Sequence, residues 1–396
     1  MAGIVTLLFS YLLSQFYRSF LAVLSPVLIE ELGATSTDLS NAAAAWFIVF
    51  AAMQFPIGRW LDRTGPRKTA GLLLFFCGAG GIALFASAQS PFTLIVAMAL
   101  IGAGCAPVLM AAFFLFARNF SEASFATLSA SFVGFGTLGN VAGTQPLAAA
   151  IEAFGWRQVG WALAVFTALV AIGILALVRD PERIETGEKR GSVLDLFRIR
   201  ALWFIFPILM ASYAAAASIR GLWAGPYLSD MHGLSTLEIG QVTFYMALAL
   251  ALGSLAYGPL DRIFGTRKWI ALLGNLALLA AILVMVLAAD PSILAVTLAF
   301  VAIGFFGSSY AVLMTHGKAF VPPHLTGRGI TLLNFFCIGG GGVVQMASGY
   351  VVESAARNGG MAAGYEALYV FMAAVVGLAL VCYAFSTDAK LLRARA

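Results

Sequence analysis

DRTGPRK, residues 62–68, returns as DRIFGTRK, residues 261–268, displaced by 199 positions with one residue inserted in the second copy. The echo has company. A shift of 200 superposes Pro26 on Pro226, Gly33 on Gly233, Ser36 on Thr236, Asp38 on Glu238, Arg118 on Lys318, Phe120 on Phe320 and Gln145 on Gln345. A chain of 396 residues that repeats itself at half its length reads as a duplicated unit, and parallel repeats of this size are built as two helical bundles related by an axis along a membrane normal.

The composition supplies the membrane. Hydrophobic residues make up 61% of the chain and charged residues 10%, and apolar stretches recur from end to end. Stretches of roughly 20 apolar residues bounded by charge or turn residues predict about twelve spans. They fall near 5–29, 39–58, 69–87, 92–117, 125–150, 159–178, 200–228, 237–257, 269–288, 293–315, 327–352 and 367–385. The expected fold is an all-α membrane protein with twelve transmembrane helices in two six-helix bundles of pseudo-two-fold symmetry. The N-terminal bundle is expected over 1–185, a charged cytoplasmic linker over 186–200, and the C-terminal bundle over 201–396. The opening run lacks a basic leader and a small-residue cleavage site, so it reads as the first span and not as a secretory signal.

Alternate loops differ sharply in basic residues. Of the 23 Lys and Arg, 19 fall in the loops at 59–68, 118, 179–200, 262–268 and 318–328 and in the tail from Lys390, whereas only Arg157 and Arg357 lie on the other side. The positive-inside rule places both termini in the cytoplasm, and a bacterial inner membrane is expected. The net charge of +5 follows from this loop bias and is no argument for a nucleic-acid partner.

With both loop copies in place, the chain resembles the major facilitator superfamily of transporters over nearly its whole length. Gly58, Asp62, Arg63, Gly65, Arg67 and Lys68 match that family's loop signature between the second and third helices. Asp261, Arg262, Gly265, Arg267 and Lys268 match its echo between the eighth and ninth. The resemblance implies that Asp62, Arg63, Gly65, Arg67, Asp261, Arg262 and Arg267 act in gating, bracing the cytoplasmic side in the outward-facing state. Two features depart from common family patterns. Met98 stands where many members carry a fourth-helix arginine, so proton coupling through that arginine cannot be carried over. The fifth helix, GFGTLGNVAGTQP at 134–146, lacks the glycine–proline core typical of drug antiporters. Its glycines, like the run 339–342, suit close helix packing.

The remaining two basic residues, Arg18 and Arg220, lie inside predicted spans. Arg18 is some 20 Å along its helix from residue 5, at about 1.5 Å per residue, too deep for snorkelling to relieve. A central arginine costs about 2.5–3.5 kcal/mol on insertion scales, so it is expected to face a cavity holding water, carbonyls or an anionic ligand. Its helix face carries Tyr11 and Gln15. YRSFLAVLSP, residues 17–26, further resembles the first helix of the family's organic-anion branch, where an arginine eight residues before a proline contacts the anion. Arg220 precedes Pro226 by only six residues, a 200° misdirection unless a bulge absorbs it, and Ser218 takes the symmetric place. If it faces the cavity, Tyr213 and Trp223 share its face. Gln145 and Gln345 complete the candidate contacts because they are repeat-related.

No catalytic dyad, metal-ligand spacing or cofactor motif is present, so neither an enzyme nor a bound cofactor or metal is expected. Asp38, Glu238, Glu30 and Asp230 fall at helix ends. Coupling through a dedicated buried carboxylate is therefore not expected, which leaves anion exchange or protons carried with the substrate. The sequence thus predicts a monomeric alternating-access carrier of a small organic or inorganic anion, with Arg18 as the main charge contact. The alternative is an exporter of neutral or amphipathic compounds in which Arg18 is structural.

Overall fold

The computed structural model describes residues 2–120, 128, 131–181, 193–288, 291–322 and 325–389, all in helices and their connections. Nine helices among them are long and apolar enough to cross a membrane, and the bent pair Ala2–Phe16 and Phe20–Leu32 makes a tenth span. Two features account for the remaining two. The Arg328–Ala384 stretch runs for 57 residues, about 85 Å of helix against a hydrocarbon core of about 30 Å. It is divided at Gly360, whose φ of 76° and ψ of 179° are not helical, so it forms the eleventh and twelfth spans. The fifth span is present over 131–154, but turns at Thr137 and at Gly143–Thr144 cut it into pieces too short to pass as one apolar helix.

Helix ends repeat as the sequence repeats. Gly33 and Gly233 close helices in left-handed conformation, with φ of 62° and 63°. Thr35 and Asp38 form a capping box, the Thr35 hydroxyl accepting the Asp38 amide at 3.1 Å while the Asp38 carboxylate accepts the Thr35 amide at 3.0 Å. Ser235 and Glu238 repeat it, the Glu238 carboxylate accepting the Ser235 amide at 2.8 Å. Asp38 and Glu238 are thereby cap residues, each satisfying helix N-terminal amides.

The chain separates into two compact units, Met1–Thr186 with Gly221–Gln241, and Gly187–Arg220 with Val242–Ala396. The seventh span, Arg200–His232, contributes to both. The section 186–192 of the expected linker lies outside the described residues. Its end, Val193–Arg198, is a short 3-10 helix packed into the second unit, where Phe197 meets Trp203, Phe206 and Phe336.

Glycines set the closest helix contacts, as expected where lipid offers no hydrophobic drive for association and packing must come from backbone approach. A Cβ at Gly102 would lie 2.4 Å from the Trp46 carbonyl oxygen, and one at Gly304 would lie 2.4 Å from that of Met246, the same contact in each unit. In the fifth span Gly136, Gly139 and Gly143 face the first span at the Tyr11 ring, the Leu12 carbonyl and the Ser19 hydroxyl. Gly340 of the eleventh span meets Met210 of the seventh.

A methyl group at Gly139 would sit 2.0 Å from the Leu12 carbonyl, whereas one at Gly134 would meet nothing within 4 Å. Thermal unfolding of the detergent-purified protein should show Gly139→Ala destabilised by about 1–3 kcal/mol, the usual cost of overpacking, and Gly134→Ala unchanged.

Candidate functional site

The first span breaks where its arginine sits. Hydrogen bonding tightens at residues 17–19, with the Arg18 amide donating to Gln15 O at 3.3 Å and the Ser19 amide to Phe16 O at 3.0 Å. The two helical pieces meet there at a 49° bend. The break is held from the fifth span, where the Ser19 hydroxyl reaches the Asn140 carbonyl at 3.4 Å and Gly143 leaves room for Ser19. From the sixth span, Thr167 hydrogen-bonds the Tyr17 hydroxyl at 2.7 Å.

Arg18 is half-buried and turns toward the second span. Its guanidinium carbon lies 5.0 Å from the ring centroid of Trp46 and 5.0 Å from that of Phe50. These two rings, one helical turn apart, stack at 4.9 Å and 17°. Cys105 of the fourth span is near enough to feel the charge, and its thiol is hydrogen-bonded with Ser14. Each cation–π contact contributes about 0.5–2 kcal/mol depending on desolvation. Two of them offset much of the insertion cost of about 2.5–3.5 kcal/mol, but a quadrupole cannot cancel a net charge.

Tyr11 and Gln15 are brought together. Gln15 donates to the Tyr11 hydroxyl at 2.7 Å, and the Tyr11 ring stacks on Phe132 at 5.4 Å over Gly136. Tyr11 thus packs toward the fifth span and Arg18 toward the second, because the break interrupts the helical periodicity that would keep them on one face. Gln145 is half-buried at the start of the last piece of the fifth span.

Arg220 is 5% exposed and lies in a π-helical turn, Ile219–Trp223, with the buried Trp223 at its end. Such a turn carries about one extra residue, removing about 100° of rotation, half of the 200° offset from the position taken by Ser218. Tyr213 packs edge to face on Tyr310 at 5.2 Å. Gln345 is 1% exposed. Among the described residues no Asp or Glu is buried.

The side chains of Asp62 and Arg262 lie outside the described residues, and Arg63 is exposed. Gly65, Arg67, Arg267 and Lys268 meet acids that were not picked out from sequence. Gly65, at φ 84°, leaves the space that the Asp180 carboxylate occupies; a Cβ there would be 2.5 Å from its carbon. Asp180 accepts the Arg67 amide at 2.8 Å at the N-terminus of the third helix, and the Arg67 side chain donates to the Leu175 carbonyl. In the second unit Asp388 accepts the Thr266 hydroxyl and the amides of Arg267 and Lys268 at 3.2 and 3.1 Å. Lys268 donates to the carbonyls of Ala384 and Ser386, and Arg267 pairs with Asp261 at 3.2 Å. His316 is fully buried beside this cluster, its Nε2 against the Thr387 carbonyl at 3.0 Å, so Nδ1 accepts from Tyr383 at 2.8 Å. An acid just past the sixth and twelfth spans, 208 residues apart, is the sequence signal for Asp180 and Asp388. For Trp46 and Phe50 the signal is an aromatic pair at helical spacing facing the only mid-span arginine of that half.

Twelve spans in duplicated halves, with loop signatures at matching places, define a polytopic membrane protein built as two related helical units. The chain belongs to the Major Facilitator Superfamily, whose model it matches over residues 7–346. It is 24% identical over 275 residues to a probable L-galactonate transporter of Escherichia coli (strain K12). That match spans 65% of this chain and 60% of the relative's length. A bacterial homologue of the human lysosomal transporter Spinster has the same fold, with a TM-score of 0.79 at 19% identity, covering 97% of this chain and 95% of that one. A D-xylose–proton symporter aligns with a TM-score of 0.76 at 12% identity over 98% and 97% of the two chains. The protein is accordingly an integral membrane transporter, and its family is not one of enzymes.

Partial burial pushes the Asp388 carboxyl up, but hydrogen bonds from Thr266 and from the amides of Lys268 and Arg267, with His316 nearby, hold it below the usual carboxylate range. A depressed folded pKa means the stabilisation is present above the unfolded value of about 3.9 and is lost as pH falls through the lower folded value. Hydrogen exchange by mass spectrometry should therefore find the Arg267 and Lys268 amides equally protected at pH 7 and 5. Asp388→Asn should raise their exchange at pH 7.

Proposed function

We propose that the protein is a secondary active transporter that works by alternating access and moves a small organic or inorganic anion, with Arg18 as the main charge contact. The observation that carries this is the placement of Arg18: a permanent cation halfway along a span, at a helix break, half-buried against the aromatic pair Trp46 and Phe50. Intramembrane cations at broken helices suit anion sites, because a bound anion supplies the charge that aromatic faces do not. The similarity to a probable L-galactonate transporter supports a sugar acid or a related hydroxycarboxylate as the first substrate class to examine. Tyr11, Gln15, Gln145, Tyr213, Trp223, Gln345 and the buried Arg220 are the further contacts proposed. The lack of buried acids among the described residues supports anion exchange, or a proton carried with the substrate, as the coupling mode. Asp62, Arg63, Gly65, Arg67, Asp261, Arg262 and Arg267 are proposed to act in gating. The reading includes a monomer in a bacterial inner membrane, both termini cytoplasmic, organised as bundles 1–185 and 201–396 around the linker 186–200.

One observation favours the alternative, an exporter of neutral or amphipathic compounds: the two aromatic rings support Arg18 without any ligand. Exchange of radiolabelled gluconate and galactonate in proteoliposomes separates the two. A charge-assisted hydrogen bond contributes about 1.5–3 kcal/mol, so Arg18→Gln should lower uptake by about 10–100-fold, and Arg18→Lys should lose less. Transport of neutral or cationic compounds that survives Arg18→Gln would instead establish the exporter.

A further inference from the structure

The indole N–H of Trp46 is a buried donor without a hydrogen-bond partner, in a side chain only 1% exposed. Some 90% or more of buried polar groups have a partner, and leaving one unmade costs about 1–3 kcal/mol. The ring is also pinned. Its own backbone carbonyl is pressed against Gly102, Phe50 stacks on it, and the Arg18 guanidinium lies 5.0 Å from its centroid. Trp46 cannot relieve the missing bond by withdrawing.

Arg and Trp side chains are donors only; neither can satisfy the other. What the indole N–H lacks is an acceptor, and the anionic group that Arg18 is proposed to hold would supply one. We infer that the Trp46 indole N–H is a second donor to the substrate's anionic group, and that the group it shares with Arg18 is a carboxylate. A carboxylate presents two oxygens in one plane, one for the planar guanidinium and one for the single directional indole N–H, while its carbon chain lies against the Phe50 ring. Trp46 then acts as a specificity-determining residue. It rewards an acceptor at one fixed direction, and a substrate without that acceptor leaves a buried N–H unmade, the strongest form of discrimination that a hydrogen bond provides. This rests on the proposal that Arg18 binds the anion.

The test uses the full-length protein in lipid nanodiscs with 15N-labelled tryptophan indoles. The Trp46 resonance is assigned by its loss in Trp46→Phe, a change that keeps an aromatic face for Arg18. Gluconate, lactate and benzoate are the probes, with glucose and chloride as controls, and affinities are measured in parallel by calorimetry. A carboxylate should move the Trp46 N–H resonance downfield with the saturation of binding, glucose and chloride should leave it in place, and Trp46→Phe should weaken binding by about tenfold or more. If a carboxylate binds with loss in Arg18→Gln while the Trp46 resonance stays fixed and Trp46→Phe binds as the native protein does, this inference is overturned and the Arg18 reading stands. If carboxylates bind equally well to Arg18→Gln, or none binds the native protein, both are overturned. Should Trp46→Phe fail to fold, the Trp46 resonance is assigned by elimination, substituting in turn each of the other tryptophans among the 7, and its shift in the native protein decides the matter.

Discussion

A guanidinium held in the middle of a membrane span is the constraint around which the first unit is organised. The charge cannot be removed by deprotonation, since an arginine does not titrate in proteins, so the surroundings must adapt to it. They adapt locally. The helix breaks at residues 17–19, the bend turns the side chain toward the second span, and Trp46 and Phe50 present their rings. The break itself needs space and anchors, which come from Gly139 and Gly143 of the fifth span and from the hydroxyls of Tyr17 and Ser19. The fragmented fifth span is the counterpart of the broken first one: small residues bring its backbone close, and its turns relax the helix where the contact is tightest.

At the end that carries the loop signature the same element recurs in each unit. A carboxylate from just beyond the sixth or twelfth span accepts backbone amides at the start of the third or ninth helix. The N-terminus of a helix carries partial positive charge and unmade donors, so an acid there is stabilised and stabilises in return. Each loop signature is thereby tied to its own bundle. The basic residues of the loops do more than orient the chain, because Arg67 and Lys268 donate to the terminal carbonyls of the sixth and twelfth spans. Among the differences between the copies, the second adds a buried histidine wedged between Tyr383 and Thr387, and position 116, the repeat equivalent of His316, is phenylalanine.

Much of this was legible in the sequence, because duplication and hydropathy are written in residue type and spacing. The repeat of 62–68 at 261–268 and the apolar stretches lead to twelve spans and two bundles, which the fold and its family bear out. What escaped depends on partners distant in sequence. Periodicity on a straight helix puts Tyr11 and Arg18 on one face, yet the bend sends them to different neighbours, and nothing in a run such as QFYRSF marks the place of a break. The π turn at Ile219–Trp223 was foreseen only as a condition on Arg220, since a single added residue per turn leaves no composition signal. Asp180 and Asp388 look like ordinary loop acids until the helix N-termini they cap are brought beside them.

The most direct measurement of the central claim is a distance in the membrane. Dipolar recoupling by solid-state NMR between a 13C-carboxylate substrate and 15N-labelled arginine side chains reports the separation of the two charges in the bound state. A coupling is expected for a guanidinium in hydrogen-bond contact with the carboxylate, present in the native protein and missing when residue 18 is glutamine. A substrate that is demonstrably bound and shows no arginine coupling, or one that keeps the coupling in that variant, would contradict it.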